Sequence, residues 1–346
     1  MVAPRVADLA VGLTTSIGTL PHDDPKAAVD FVLGLHPRLP ALPQLPNRST
    51  LERRLPQAAW GIDGVTVQSD GSITIDHRRI DVDAPYRDPS FSGAPFVTLH
   101  AFLDALAERN GPAKFQLTGP ITLGVALTSA GIDPRAAFAI SATVVQSRAR
   151  ALLQLVAARA PRVAPLVFVD EPSLLACLEP NFPIGVDDAL DLVSSVLATL
   201  EPAAITGLRC SPRGGMTTNV DWPLVLQTGP AVLAVPVQTH ASLVAAASSI
   251  AHFVDKGGWL AWGTVPTEAP LGSSAGLLWR QLSAVWCELV QGGCDASRLR
   301  LQALVTPAGG LGRHSAEQAE VVLELVDELA RRLYDQATGL RLSVGA

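Results

Sequence analysis

Two carboxylates at the end of one apolar run are the first residues in this chain able to do chemistry together. Leu166-Val167-Phe168-Val169 leads directly into Asp170-Glu171-Pro172. Four strand-favouring residues without polar alternation read as a strand buried on both faces, as in a parallel sheet. Such sheets present their working groups where strands end and loops begin. Asp170 and Glu171 are therefore candidates to bind a substrate, and either could instead cap the next helix. A second group follows in Arg209-Cys210-Ser211-Pro212-Arg213-Gly214-Gly215. Arg209 and Arg213 could hold a carboxylate or phosphate, or stay as solvated loop charges. A thiol beside two cations could ionise early enough to act as a nucleophile, although no base accompanies Cys210.

These groups need a scaffold, and the chain supplies an alternation of strand and helix patterns. The strands fall at residues 11–17, 39–46, 114–117, 166–169, 204–210, 232–235, 259–262 and 299–305. The helices fall at 26–35, 98–109, 134–160, 186–200, 222–226, 242–256 and 275–290, with a last one after Ser315. Asp24-Pro25 and Asp133-Pro134 are N-cap and first-turn signals, and Ser315 with Gln318 forms a capping box. In the last helix Val321, Val322, Leu325, Val326 and Leu329 mark the buried stripe. Residues 64–82 break the alternation. Val65 and Val67, then Ile73 and Ile75, flank Ser69-Asp70-Gly71-Ser72, which predicts a β-hairpin inserted into the main fold. Eight strands alternating with helices in 346 residues, without a linker, point to one α/β domain over 1–346, a TIM (β/α)8 barrel.

Composition narrows the partners. Hydrophobic residues make up 48% and charged residues 17%, as in a well-buried globular chain, and the net charge of -6 comes with no basic stripe for nucleic acid. No run of about 18 apolar residues predicts a membrane span, and Arg5 and Asp8 interrupt the N-terminal apolar residues, so the expectation is a soluble, cytoplasmic protein. Cys177, Cys210, Cys287 and Cys294 contain no CxxC pair, and Cys287 and Cys294 read as structural thiols. Trp259 and Trp262 read as packing residues, with Trp262 near enough to a strand end to stack on a flat ligand.

Several strand ends together resemble a known family. Ser16-Ile17-Gly18-Thr19-Leu20-Pro21, Leu39-Pro40-Ala41-Leu42-Pro43-Gln44-Leu45-Pro46, Thr118-Gly119-Pro120-Ile121-Thr122-Leu123, Val169-Asp170-Glu171-Pro172-Ser173-Leu174 and Val305-Thr306-Pro307 occur in the order found in the C-terminal catalytic domain of cobalamin-independent methionine synthases. The chain looks like the short, single-domain form. That resemblance implies methyl transfer to homocysteine or another small thiol, activated by a zinc ion held by a His-x-Cys pair, a Glu and a second Cys. Carried across, Gly18 and Thr19 would meet the amino-acid carboxylate and Asp170 the amino group; Glu171 and Arg209 stand beside them as substrate-binding candidates from their own places at strand ends. The methyl donor stays open among folate, a methylcorrinoid and none.

The implied metal set is degraded here. Cys210 falls where the family has its His-x-Cys, but Leu208 precedes it, Pro236 stands for the carboxylate and Gly309 for the second cysteine. One cysteine does not make a four-point site. His22, His240 and His314, in loops after the first, sixth and eighth strands, could in principle complete a rearranged shell with Cys210, or be ordinary loop residues. Three readings compete: a methionine-synthase-type methyltransferase, a barrel repurposed to bind a small molecule or a partner, and a metal-independent activity like that of the related uroporphyrinogen decarboxylase barrel.

Overall fold

The computed structural model describes residues 4–83, 86, 91–210, 219–268 and 272–344. The main chain begins with β1 (Leu13–Thr14) and α1 (Pro25–Leu35), then α2 (Arg54–Ala59) and the hairpin β2 (Val65–Val67) and β3 (Ile73–Ile75). α3 (Val97–Leu106), β4 (Gly111–Thr118), α4 (Pro120–Ser129), α5 (Pro134–Arg159) and β5 (Val163–Asp170) follow. Next come α6 (Val186–Leu200), β6 (Ile205–Arg209), α7 (Trp222–Gln227), β7 (Val232–Pro236), α8 (His240–Ala245), α9 (Ala247–Asp255) and β8 (Trp259–Val265). The chain ends with α10 (Ala275–Gln291), α11 (Ala296–Leu301), β9 (Ala303–Pro307) and α12 (Ala316–Val344).

Seven strands form one parallel sheet in the order β1-β9-β8-β7-β6-β5-β4, curled as in a TIM barrel. Residues 39–45 lie between the two edge strands. Lys114 N donates to Pro40 O and Leu42 N to Lys114 O, both at 2.8 Å, while Gln44 N donates to Gly18 O at 2.9 Å and Leu20 N to Gln44 O at 3.0 Å. Pro40 and Pro43 lack the N–H a regular ladder needs, so this segment bridges its neighbours at isolated points (Ala41 with Lys114, Gln44 with Thr19). Buried Glu52 fixes its exit, accepting from Leu45 N at 2.9 Å and from Thr98 Oγ1 at 2.9 Å.

Side-chain alternation divides the core in two. Leu13, Leu166, Phe168, Ile205, Val232, Ala234, Trp259, Ala261 and Leu304 fill the inside of the curled sheet. Val167, Val169, Leu208, Val235, Trp262 and Val305 face the surrounding helices. Start signals in the sequence act as expected. Asp24 accepts from Ala27 N at 2.7 Å, Asp133 from Ala136 N at 3.2 Å, and Ser315 and Gln318 exchange bonds at 3.0 and 3.2 Å. The inserted hairpin forms with Val65 opposite Ile75, and Arg148 of α5 ties the chain beside it by donating to Ala58 O at 2.6 Å and Tyr86 Oη at 2.7 Å. Among the described residues no helix is long and apolar enough to cross a membrane.

Four sequence expectations change. The strand expected at 299–305 begins only at Ala303, because Asp295 accepts from Arg298 N at 2.8 Å and starts α11 first. The helix expected at 242–256 is two, α8 and α9, broken at Ala246. Val321 is exposed, so the buried face of α12 runs through Val322, Val326 and Leu329. Trp262 is fully buried against Trp286, ring centroids 6.0 Å apart, on the helix side of the sheet, where it cannot stack on a ligand.

Candidate functional site

Strand register assembles the site. Thr118 of β4, Asp170 of β5 and Arg209 of β6 stand side by side in one row. One inward row below are Gln116, Phe168 and Gly207, and below those Lys114, Leu166 and Ile205. Because Leu166, Phe168 and Ile205 belong to the interior cluster, the period of two turns Lys114, Gln116, Thr118, Asp170 and Arg209 to the same side. Gly207 has to be small: a Cβ there would meet the Phe168 ring at 2.7 Å.

Asp170 is only 7% exposed and Arg209 is half-buried. Among the described residues neither makes a side-chain hydrogen bond or an ion pair, even with the other. Burial lowers the Arg209 guanidinium from its ordinary range, the Asp170 charge opposes that shift, and the Arg54 charge adds to it. A carboxylate and a guanidinium set side by side at strand ends, without partners among the described residues, carry the two charges that complement those of a zwitterion. Below them Lys114 Nζ donates to Ser16 O at 2.7 Å and Ile17 O at 3.3 Å and lies 4.9 Å from the Phe168 ring centroid. Its burial pushes it down to about 7, against the pull of Asp170. Gln116 Nε2 donates to Leu42 O at 2.9 Å, and Gly18, at φ 121°, leaves room for that amide, which a Cβ would meet at 2.5 Å. The other end of the amide, Gln116 Oε1, is buried without a partner, as are Thr15 Oγ1 and Ser16 Oγ.

Glu171 takes the second of its two readings, a helix cap, but on a helix that precedes it in the chain rather than the next one. Its carboxylate accepts from Ile121 N at 2.8 Å, Thr122 N at 2.9 Å and Thr122 Oγ1 at 2.7 Å, so it caps α4, the helix that follows the neighbouring strand β4. The cap requires Gly119, where a Cβ would lie 2.1 Å from Glu171 Oε1. Burial raises this carboxyl to about 7, opposed by those three donors. Both oxygens are spent on the helix, which removes Glu171 from the substrate contacts. Thr19 is half-buried beneath the loop after β9: its carbonyl accepts from Leu311 N at 2.8 Å, and a Cβ on Gly310 would meet its Cβ at 2.9 Å.

The zinc set does not fit. Leu208 and Cys210 both lie in the layer facing the helices, so Cys210 is turned away from Asp170 by the one-residue offset that separates the faces of a strand. Burial first, then Glu171 and Asp170, push its thiol well above the ordinary range, against a nucleophilic role. The inward positions of β6 carry Gly207 and Arg209, β7 ends in Pro236, and Gly309 abuts Thr267, whose Oγ1 would lie 2.5 Å from a Cβ there. His22 packs against Phe31 with the rings tilted and their centroids 4.7 Å apart, His240 is exposed at the start of α8, and a ring nitrogen of His314 sits 2.9 Å from Thr267 O. Among the described residues no three His, Cys, Asp or Glu side chains come together to hold a metal. The rearranged shell of His22, His240, His314 and Cys210 is not assembled. Arg213 lies outside the described residues. Cys294 is buried, with Sγ 3.5 Å from Ala247 O, whereas Cys287 is exposed and holds no packing role in the core.

Lys114, Gln116 and Arg54 escaped the sequence reading. The alternation Lys114, Gln116, Thr118 against Ala113, Phe115, Leu117 did signal a strand with a polar inner face.

No family model matches this chain, and no curated protein matches it. Among solved structures it is similar to the crystal structure of a "Putative Vitamin-B12 Independent Methionine Synthase" from Listeria monocytogenes, with a TM-score of 0.56 and 13% identity over 97% of this chain and 98% of that one. At that identity the likeness shows a shared fold across the whole chain.

Proposed function

We propose that this chain is a methionine-synthase-like barrel whose mouth binds a small α-amino acid and whose chemistry proceeds without the zinc-thiolate step. Residues 39–45 act in this reading as the second of eight strands, closing the sheet through their bridges to β1 and β4. The observation that carries the reading is Asp170 beside Arg209, each without a side-chain partner among the described residues. An ammonium group satisfies the first and a carboxylate the second, and both bonds are charge-assisted in a half-dry site. In this reading Gln116 Oε1, buried without a partner and packed by its amide against Gly18, offers an acceptor below the clasp.

The likeness to a methionine synthase supports a methyltransferase-type barrel, but thiol activation by zinc has no donor set here. A chain that has kept the clasp and lost the metal set recognises an amino acid and acts on it, or holds it, by other means. Calorimetric titration of chelator-treated protein with homocysteine, methionine and alanine tests this. The expected result is saturable binding of α-amino acids, weakened about tenfold to a hundredfold by Asp170→Asn or Arg209→Met, the loss of one charge-assisted contact. Stoichiometric zinc in the purified protein, with binding abolished on its removal, would contradict the reading.

A further inference from the structure

We propose that the preferred ligand is an α-amino acid whose side chain ends in a hydroxyl, and that this hydroxyl donates to Gln116 Oε1. The inference rests on the clasp of Asp170 and Arg209 and deepens it by naming the side chain of the amino acid held there. Gln116 stands one inward row below those two residues, about 6.6 Å along the strands. Its neighbours in that row are Phe168 on β5 and Gly207 on β6. The Phe168 ring leans over Gly207, on the side of β5 away from Gln116.

The polarity of the Gln116 amide is fixed by its surroundings. Its nitrogen donates to Leu42 O at 2.9 Å, and a carbonyl only accepts, so the free end of the amide is the oxygen. Gly18 packs against the same nitrogen, where a Cβ would come within 2.5 Å. Gln116 is 6% exposed, and among the described residues its Oε1 has no hydrogen-bond partner. A buried acceptor in that state is costly, and a donor brought in from outside relieves it. Charge and strength select among donors. Below Asp170 and Arg209 the inward positions of β4, β5 and β6 are Gln116, Lys114, Phe168, Leu166, Gly207 and Ile205, none of them a carboxylate. A ligand ammonium reaching that depth would be buried without a counter-ion, and a thiol is a weak donor. A hydroxyl is neutral, donates well and still accepts through its oxygen. Two further buried hydroxyls without partners, those of Thr15 and Ser16, follow β1, and the Ser16 carbonyl accepts from Lys114 Nζ at 2.7 Å.

Calorimetric titration of the whole protein with two isosteric pairs, serine against 2-aminobutyrate and homoserine against norvaline, is the test, since each pair exchanges a hydroxyl for a methyl. The expected outcome is that in at least one pair the hydroxyl compound binds about tenfold more tightly than its partner. In Gln116→Met, which keeps the length of the side chain and loses the acceptor, that ratio falls to about one while the methyl compound keeps its affinity within about threefold. Circular dichroism checks the fold of the variant, and if it does not fold the wild-type ratios decide alone. Equal or weaker binding of the hydroxyl compound in both pairs, as when water already serves Gln116, would overturn this inference while leaving the clasp standing. A ratio unchanged in Gln116→Met would overturn the assignment to Gln116. Failure of all four compounds to bind would overturn the clasp and this inference with it.

Discussion

Lys114 places its amine two inward rows below Asp170, with two backbone carbonyls and an aromatic ring as its surroundings. Two N–H donors suffice for the two carbonyls, so a neutral amine fits the place, and burial brings the group to about 7 from 10.5. The sign of the consequence follows from proton counting. Between those values the unfolded chain keeps the proton that the folded protein has released, so stability rises with pH across the window. Lys114→Met should remove that rise, which for one group amounts to at most about 1.4 kcal/mol per pH unit. Urea midpoints of both proteins compared at about pH 7 and about pH 10 read the difference. A gap between them that is the same at both pH values would show that Lys114 is not held neutral. At this same scale the sequence was most legible in Asp170, whose place at a strand end follows from the apolar run before it. Cys210 was misread because nothing in Gly207-Leu208-Arg209-Cys210 marks which alternate pair faces inward; the Phe168 ring over Gly207 settles that.

Among the elements, α4 depends most visibly on a distant residue. Its first N–H groups are satisfied by Glu171 at the end of β5, and the approach is open only because position 119 lacks a side chain. Thr-Gly-Pro and Asp-Glu-Pro are thus two halves of one joint. Gly119→Ala should destabilise the fold by about 1–3 kcal/mol through overpacking, and Glu171→Gln by about 1–3 kcal/mol, since an amide cannot accept at both oxygen positions. Denaturant unfolding measures both, and a double variant losing much less than the sum would show that they act on the same contact. A neutral effect of both would dissolve the joint. Helix starts were readable from Asp-Pro and Ser-x-x-Gln because capping is local. The α11 start was not, since Asp295 competes with a β-favouring run that continues past it, and the bridging segment 39–45 was readable as strand-like but not in its irregularity.

For the whole molecule, the order of strands and helices in the sequence was enough to expect a barrel, because a parallel sheet leaves helices few other places to go. Which charged groups meet at its mouth depends on register between strands far apart in sequence, and no local pattern encodes that. The account therefore rests on a site that only the folded sheet assembles. The most direct test is a crystal structure of the protein soaked with an α-amino acid after removal of metal. The account predicts the amino nitrogen within hydrogen-bonding distance of Asp170 and the α-carboxylate on Arg209. A ligand bound elsewhere, or a tetrahedral metal ion at the strand ends of the untreated protein, would contradict it.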